Sequence, residues 1–406
     1  MESFKDWYQA NQQKIQEEFF TLLKFESIST DSAYHPKCLD CANWLKDLLE
    51  EIGLTVELIN TPTLPLVYAE DLSSKGETLL IYGHYDVQPV DPLELWKSPP
   101  FEPTIRDNQV FARGALDNKG QLFYTLMAIK AYKKLNGSFP INIKIILEGE
   151  EEAGSTGFLK VLSSIKDKIK ADYLLVPDVD LLDAETPTIT FGIRGILPFE
   201  IELTGSNTDL HSGTQGGIAF NPNRALSSLI AKLWDADGKI TIDGFYDDVS
   251  ELSHAEKHKL TMVFDHETYS KEFGVNAFSG EKGYSTCESN WTRPTIERNG
   301  MSGGYTGKGF KTVIPAKANA KISCRLVPNQ DPKKIQAQIQ TFFEKNVEPG
   351  IELSINFLEG ARAAKGSFDS KIAQAVSDSM SEVFGKKTAN ILSGGSIPVV
   401  ADLAKE

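Results

Sequence analysis

Three apolar runs, each breaking into acidic or histidine-bearing residues at its C-terminal end, constrain this chain more than any other feature. Leu79–Tyr82 runs into Gly83–Pro89, read GHYDVQP, so His84 and Asp86 leave the end of the run. Ile143–Leu147 ends in Glu148, Glu150, Glu151 and Glu152, and Tyr173–Val176 ends in Pro177 and Asp178. Short apolar runs bounded by turn residues read as buried strands. Helical patterns at Lys119–Leu135 and Gly157–Lys168 lie between them, and this alternation predicts a three-layer α/β domain. In such open sheets ligands sit beyond the carboxyl ends of the strands, so the three polar corners are placed to share one crevice.

A length of 406 residues exceeds what one core usually serves, which predicts two domains. A net charge of −14 argues against nucleic acid or an acidic membrane surface as partner. Met1–Phe20 reads as a polar amphipathic helix without a signal-type apolar core, and no stretch is apolar enough to span a bilayer. The expectation is a cytoplasmic protein. Four cysteines are too few for a disulfide framework; Cys38 and Cys41 have redox or zinc spacing but fall inside the helical stretch Pro36–Ile52, with no second pair.

Further elements follow from pattern. A helix is predicted over Asp6–Lys24, strands at Thr55–Ile59 and Thr188–Ile193, and a hairpin over Thr104–Ala112 turning at Asp107 and Asn108. Arg113–Gly120, read RGALDNKG, opens the helix at Lys119, where N-capping is the plain role for Asp117. After Gly195 the texture changes. Strands at Leu197–Thr204, Gly309–Ile314, Lys317–Val327 and Ile351–Phe357, with helices at Asn223–Leu233 and Pro332–Lys345, predict a small α+β domain; residues 235–301 give no clear pattern. A helix at Ile372–Phe384 and a turn at Ser393–Pro398 then resume the first pattern. The domains expected are a catalytic part at 1–196 and 359–406, interrupted by an inserted lid and dimerisation domain at 197–358.

The residue types at the corners fit metal-assisted hydrolysis, which needs a bridging carboxylate, terminal nitrogen and oxygen ligands, and a separate carboxylate to move a proton. His84, Asp117, Glu152 and Asp178 can serve as ligands and Glu151 as the base; Asp86 is placed to accept the second N–H of His84. Taken singly, each has a plainer reading as turn former or solvated acid. His254 and His258 have the spacing of paired zinc ligands but lack a following glutamate, and a solvated helix is the better reading. Gly303–Gly309 lacks phosphate-loop spacing.

GHYDVQP at 83–89, ARGALDNKGQ at 112–121, EGEEEAGS at 148–155 and the Asp178 corner, in this order, resemble the two-zinc exopeptidases that include carnosinase, aminoacylase and succinyl-diaminopimelate desuccinylase. The carnosinase-like cytosolic dipeptidase branch is most similar, through Trp96, Pro100–Pro103, Asp209–Gly213, Lys311–Pro315 and Gly394–Pro398. The resemblance implies a zinc-exopeptidase catalytic domain with a ferredoxin-like lid, and two zinc ions per subunit, with manganese or cobalt as substitutes. It makes Asp117 the bridging ligand, His84 and Asp178 ligands of one ion, Glu152 a ligand of the other, and Glu151 the general base. It makes His211 a lid histidine that stabilises the oxyanion in the partner subunit of a homodimer, and Arg325, Thr312, Gly395 and Ser396 the contacts to substrate. The implied reaction is hydrolysis of dipeptides, with an N-acyl amino acid deacylase as the alternative on the same centre.

Three departures stand out. The pair Asp117-Asn118 replaces the family's Asp-Asp, and Leu116 stands where a smaller residue is usual. No histidine follows His266, whereas the family's last zinc ligand is a histidine near the C-terminus. The expectations drawn are a C-terminally truncated chain, a weak second zinc site and, as a reading of another class, a non-catalytic remnant.

Overall fold

The structure is a computed structural model that describes residues 3–179 and 181–405. The chain divides into two compact units, Met1–Asp180 with Asp402–Glu406, and Leu181–Ala401. In the first unit the helices are α1 (Phe4–Leu23), α2 (His35–Ile52), α3 (Lys119–Asn136) and α4 (Thr156–Ile169). Its strands are β1 (Thr55–Ile59), β2 (Leu66–Asp71), β3 (Thr78–His84), β4 (Thr104–Arg106), β5 (Gln109–Phe111), β6 (Asn142–Glu148) and β7 (Tyr173–Leu175). Five of these form one sheet in the order β1-β2-β6-β3-β7. The β6, β3 and β7 strands are mutually parallel, while β1 and β2 add antiparallel edges.

Parallel pairing has a direct consequence for function. Ile81 lies opposite Leu175 and His84 opposite Glu148, so all three strands deliver their carboxyl ends, and the polar residues after them, to the same edge. The sheet is held there by a core that includes Leu45, Leu49, Val67, Ile145, Leu147, Leu122 and Leu126, all fully buried. Each such side chain contributes about 1.5–3 kcal/mol on leaving water. Gly53 closes α2 in the left-handed region at φ +90°, where a side chain would be strained. Asp107 and Asn108 both take positive φ, the conformation a two-residue hairpin turn requires.

The second unit holds β8 (Thr188–Thr190), β9 (Gly192–Ile193), β10 (Gly195–Thr204), β11 (Leu210–His211), α5 (Ser212–Gln215), α6 (Pro222–Ala231), α7 (His254–Lys259), α8 (His266–Phe273) and α9 (Thr286–Trp291). It continues with β12 (Thr295–Gly303), β13 (Val313–Ile314), β14 (Lys317–Leu326), α10 (Pro332–Asn346), β15 (Glu352–Phe357), β16 (Ala364–Lys365), α11 (Lys371–Phe384) and β17 (Ala389–Ile391). A four-stranded antiparallel sheet in the order β12-β14-β10-β15 packs on α6 and α10, which is the expected α+β arrangement. Leu197, Phe199, Ile201 and Leu203 alternate inward along β10, and the Phe199 ring meets Phe343 of α10 edge-on at 5.8 Å.

Several expectations need correction. Residues 309–312 are not a strand: Gly309 sits at φ +90°, which interrupts extended backbone, and only Val313–Ile314 pairs, with β11. β2 and β12 went unread, the first because four fully buried residues show no alternation, the second because its exposed, polar face hides its period. Apart from the expected domain breaks at 196 and 358, the second compact unit takes in the pairing of β8 with β17 and of β9 with β16.

Candidate metal centre

His84 ends β3 with only 1% of its side chain exposed. Its Nδ1 faces Asp86, 3.1 Å from both the backbone oxygen and Oδ1, so in the neutral ring that nitrogen carries the proton and Nε2 presents a lone pair. Nε2 lies 3.2 Å from Asp117 Oδ1 and 3.7 Å from Asp178 Oδ1. Among the described residues, His84, Asp117 and Asp178 form the one such cluster whose ligand atoms all lie within 4.8 Å of one another. Burial by itself would lower the imidazole pKa, but Asp117, Asp178 and Asp86 together hold it well above its ordinary value. The same neighbourhood favours any cation at Nε2. One imidazole and two carboxylates are donors suited to a zinc-class divalent ion, so the residues present fit the metal that the sequence implies.

Asp86 does more than orient the ring. Fully buried, it accepts Ser29 Oγ at 2.5 Å, the backbone N–H of Glu151 at 3.2 Å and that of Glu152 at 3.1 Å. One carboxylate thereby ties the end of β3 to the turn that follows β6. Glu151 and Glu152 open that turn, a short 3-10 segment at Glu151–Ala153. Burial pushes the Glu151 carboxyl up to about 8, despite the opposing pull of His84, and it also raises Glu152. Glu152 stands outside the three-residue cluster, its Oε2 held 2.6 Å from Gln88 Nε2. Two further glutamates serve the backbone and core. Glu150 accepts the N–H of Gly157 at the start of α4, and Glu148 accepts Tyr82 and Ser155 hydroxyls at 2.6 and 2.9 Å, burial raising it to about 8.

Asn118 was underrated by sequence reasoning. Fully buried, it accepts the backbone N–H of His84 at 3.1 Å through Oδ1 and donates from Nδ2 to the Pro177 carbonyl at 2.7 Å. A single side chain thus links the Asp117 loop to the His84 and Asp178 corners. The signal was its position beside Asp117, but only the structure reveals that the site uses both the donor and the acceptor of an amide. Helix α3 begins at Lys119 with Asn118 at its N-cap position and no side-chain cap bond. Asp117 therefore does not cap the helix; its side chain turns to His84 and stays 65% exposed.

The remaining predicted residues lie in the second unit. His211 and Thr312 meet, Thr312 Oγ1 lying 3.2 Å from His211 Nε2, while His211 Nδ1 accepts the Gly213 N–H at 3.1 Å. That bond leaves the neutral ring's proton on Nε2. Arg325 donates from Nη1 to Ser396 Oγ at 2.8 Å, and Gly395 donates its N–H to Ser393 Oγ at 3.0 Å. His254 and His258 stand on exposed α7 with Nε2 atoms 3.0 Å apart, and no third ligand joins them among the described residues. Cys38 and Cys41 are free, buried and raised by burial to about 12 and about 11, consistent with two helix residues rather than a reactive pair.

Known proteins resemble this chain over most of its length. The family model described as Peptidase family M20/M25/M40 matches residues 80–404. A Cys-Gly metallodipeptidase of Schizosaccharomyces pombe is 31% identical over 95% of this chain and 86% of its own length. A Beta-Ala-His dipeptidase of Homo sapiens is 32% identical over 83% of this chain and 68% of its own. Among solved structures, an M20 family metallo-carboxypeptidase from Sulfolobus solfataricus superposes with a TM-score of 0.88 at 35% identity, covering 96% of this chain and 89% of that one. No helix among the described residues is long and apolar enough to cross a membrane.

Proposed function

Because the chain belongs to peptidase family M20/M25/M40, we propose that it is a metal-dependent dipeptidase whose chemistry is carried by the corner of His84, Asp117 and Asp178. The convergence of His84 at the end of β3, Asp178 after β7 and Asp117 in the loop before α3 is the observation that supports the reading most. His84, Asp117 and Asp178 would hold one zinc ion, and Asp117 with Glu152 a second. When bound, such ions acidify water and polarise the scissile carbonyl.

The chain's own groups account for the rest. Asp86 fixes the His84 ring and anchors the Glu151 and Glu152 amides, so base and ligand are set by one buried carboxylate. Glu151 takes the proton of the attacking water on its carboxylate and returns it to the leaving amine. His211 offers its Nε2–H to the developing oxyanion, in the arrangement of a homodimer in which the lid of one subunit serves the other. Arg325 and Ser396, with Thr312 and Gly395, receive the free carboxylate that ends any dipeptide or any carboxypeptidase substrate. The setting is cytoplasmic, with neither nucleic acid nor membrane as partner.

The test is metal content per chain by elemental analysis after zinc loading, run beside hydrolysis of a mixed dipeptide panel. Bound zinc with turnover that disappears in Glu151→Gln supports the reading; zinc binding without turnover on any dipeptide refutes it. A second reading, an inherited centre that binds without turnover, draws on Glu152 lying outside the three-residue cluster. It expects one tightly held ion per chain and no effect of Glu151→Gln.

A further inference from the structure

Resting on the reading that Arg325 and Ser396 meet the substrate carboxylate, we propose that Arg194 is a positioning residue for that subsite, holding its turn in place and adding a second unpaired positive charge beside it. Arg194 is only 6% exposed. Its Nε donates to the Gly394 carbonyl at 2.9 Å, and its Nη1 to Thr295 Oγ1 at 3.2 Å and to the Arg293 carbonyl at 3.4 Å. Its backbone N–H donates to the Gly395 carbonyl at 2.8 Å. Every one of these partners is neutral.

Burying a guanidinium without a counter-ion is expensive, and the chain compensates another arginine fully. Arg293, also 6% exposed, forks onto Glu281 at 2.9 Å through Nε and Nη2 and reaches Glu251 at 2.8 Å. Among the described residues neither Arg194 nor Arg325 has a carboxylate partner, and Arg194 Nη2 has no hydrogen-bond acceptor. Burial, and then the charge of Arg325, lower the Arg194 pKa to about 10, while Glu297, which makes no hydrogen bond or ion pair to it, pulls the other way. An anion arriving at Arg325 relieves both.

The strand register explains how Arg194 acts on its neighbour. Arg325 lies opposite Thr295 on one side and Ile196 on the other. Arg194 bonds Thr295, precedes Ile196 by two residues and grips Gly394 and Gly395, while Ser396 Oγ donates to the Gly195 carbonyl at 3.2 Å. It therefore fixes both flanks of Arg325 and the turn carrying the serine that Arg325 touches.

The experiment measures kcat and KM on a dipeptide and on its C-terminal amide for the wild type, Arg194→Met, Arg194→Lys, Arg325→Met and the double variant Arg194→Met/Arg325→Met. We expect Arg194→Met to raise KM for the free acid about tenfold, the equivalent of one charge-assisted contact. The amide should be hydrolysed as by wild type, Arg194→Lys should recover part of the loss, and Arg194→Met should add no further loss of discrimination on Arg325→Met. Equal losses on acid and amide, or no change on either, overturn the proposal. If Arg194→Met does not fold, Arg194→Lys decides, since a structural role alone moves acid and amide together. If the wild type hydrolyses neither substrate, the dipeptidase reading fails instead, and calorimetric binding of the same dipeptide to wild type and Arg194→Lys decides the role of Arg194: equal affinity overturns it.

Discussion

Replacing Asn118 with aspartate restores the Asp-Asp pair of the resembling family, yet the structure argues that in metal-free protein it is costly. The Oδ1 contact to the His84 amide survives, but an ionised carboxylate cannot donate to the Pro177 carbonyl, now bonded at 2.7 Å. One unpaired buried carbonyl costs about 1–3 kcal/mol. Repulsion from Asp117 and Asp178 adds to this. The cost depends on pH with a definite sign. The introduced carboxyl holds its proton more tightly folded than unfolded, and in acid its O–H can donate to Pro177. Stability is therefore near wild type in acid and is lost as pH rises through the raised folded pKa. A bound divalent cation removes most of the loss. Hydrogen exchange by mass spectrometry over residues 79–88, with chelator and with zinc, at several pH values, reads the protection of the His84 amide directly. Protection factors equal to wild type at every pH without metal, or a deficit independent of pH, would refute the argument.

Other predictions rest on the same geometry. Asp86→Ala frees the His84 ring and the Glu151 and Glu152 amides at once, and should weaken zinc binding about 10–100-fold in a chelator competition. Glu151→Gln should lower kcat about 10²–10⁴-fold with zinc content unchanged, separating proton transfer from metal binding. In metal-free protein, Glu148 and Glu151 at about 8 and His84 held above its usual value all keep protons on folding that the unfolded chain releases. Denaturant stability with chelator should then fall as pH rises from about 4.5 to about 8, and Glu151→Gln should flatten part of that slope. In the α+β unit, Phe343→Ala removes a fully buried ring against Phe199 and should cost about 3–5 kcal/mol in urea unfolding of that unit.

The sequence exposed the corners because they obey local rules. An apolar run followed by a histidine or a carboxylate announces a strand end, and two helical stretches between such runs imply parallel pairing and one shared edge. What it concealed depends on contacts distant in sequence. Ser29 reaches Asp86 across 57 positions, Asn118 reaches Pro177 across 59, and Arg194 reaches Gly394 across 200. None of these partners carries a spacing signature, because the spacing is created by the fold. β2 escaped for a related reason: its first four residues, Leu66–Ala69, are all buried, so they have no period to read.

The same distinction separates residues that would hold ions from those that make holding them affordable. Four carboxylates, those of Asp86, Asp117, Glu151 and Asp178, crowd around one buried imidazole, and each would repel the others if left to itself. Asp86 is compensated by backbone amides and a serine hydroxyl, and Glu151 by a raised pKa. Asp117 and Asp178 have only His84 Nε2 between them, with no arginine or lysine in ion-pair contact among the described residues. A protein that spends buried amides on one acid and leaves two others facing a single nitrogen is arranged so that a cation, not a side chain, completes the balance. Removing that demand with Asp178→Asn should therefore weaken zinc binding and, at a pH where His84 has lost its proton, raise metal-free stability, a pair of opposite shifts measurable on one sample by thermal unfolding with and without zinc. Stability that falls in both conditions would mean that Asp178 is structural and that the charge argument fails.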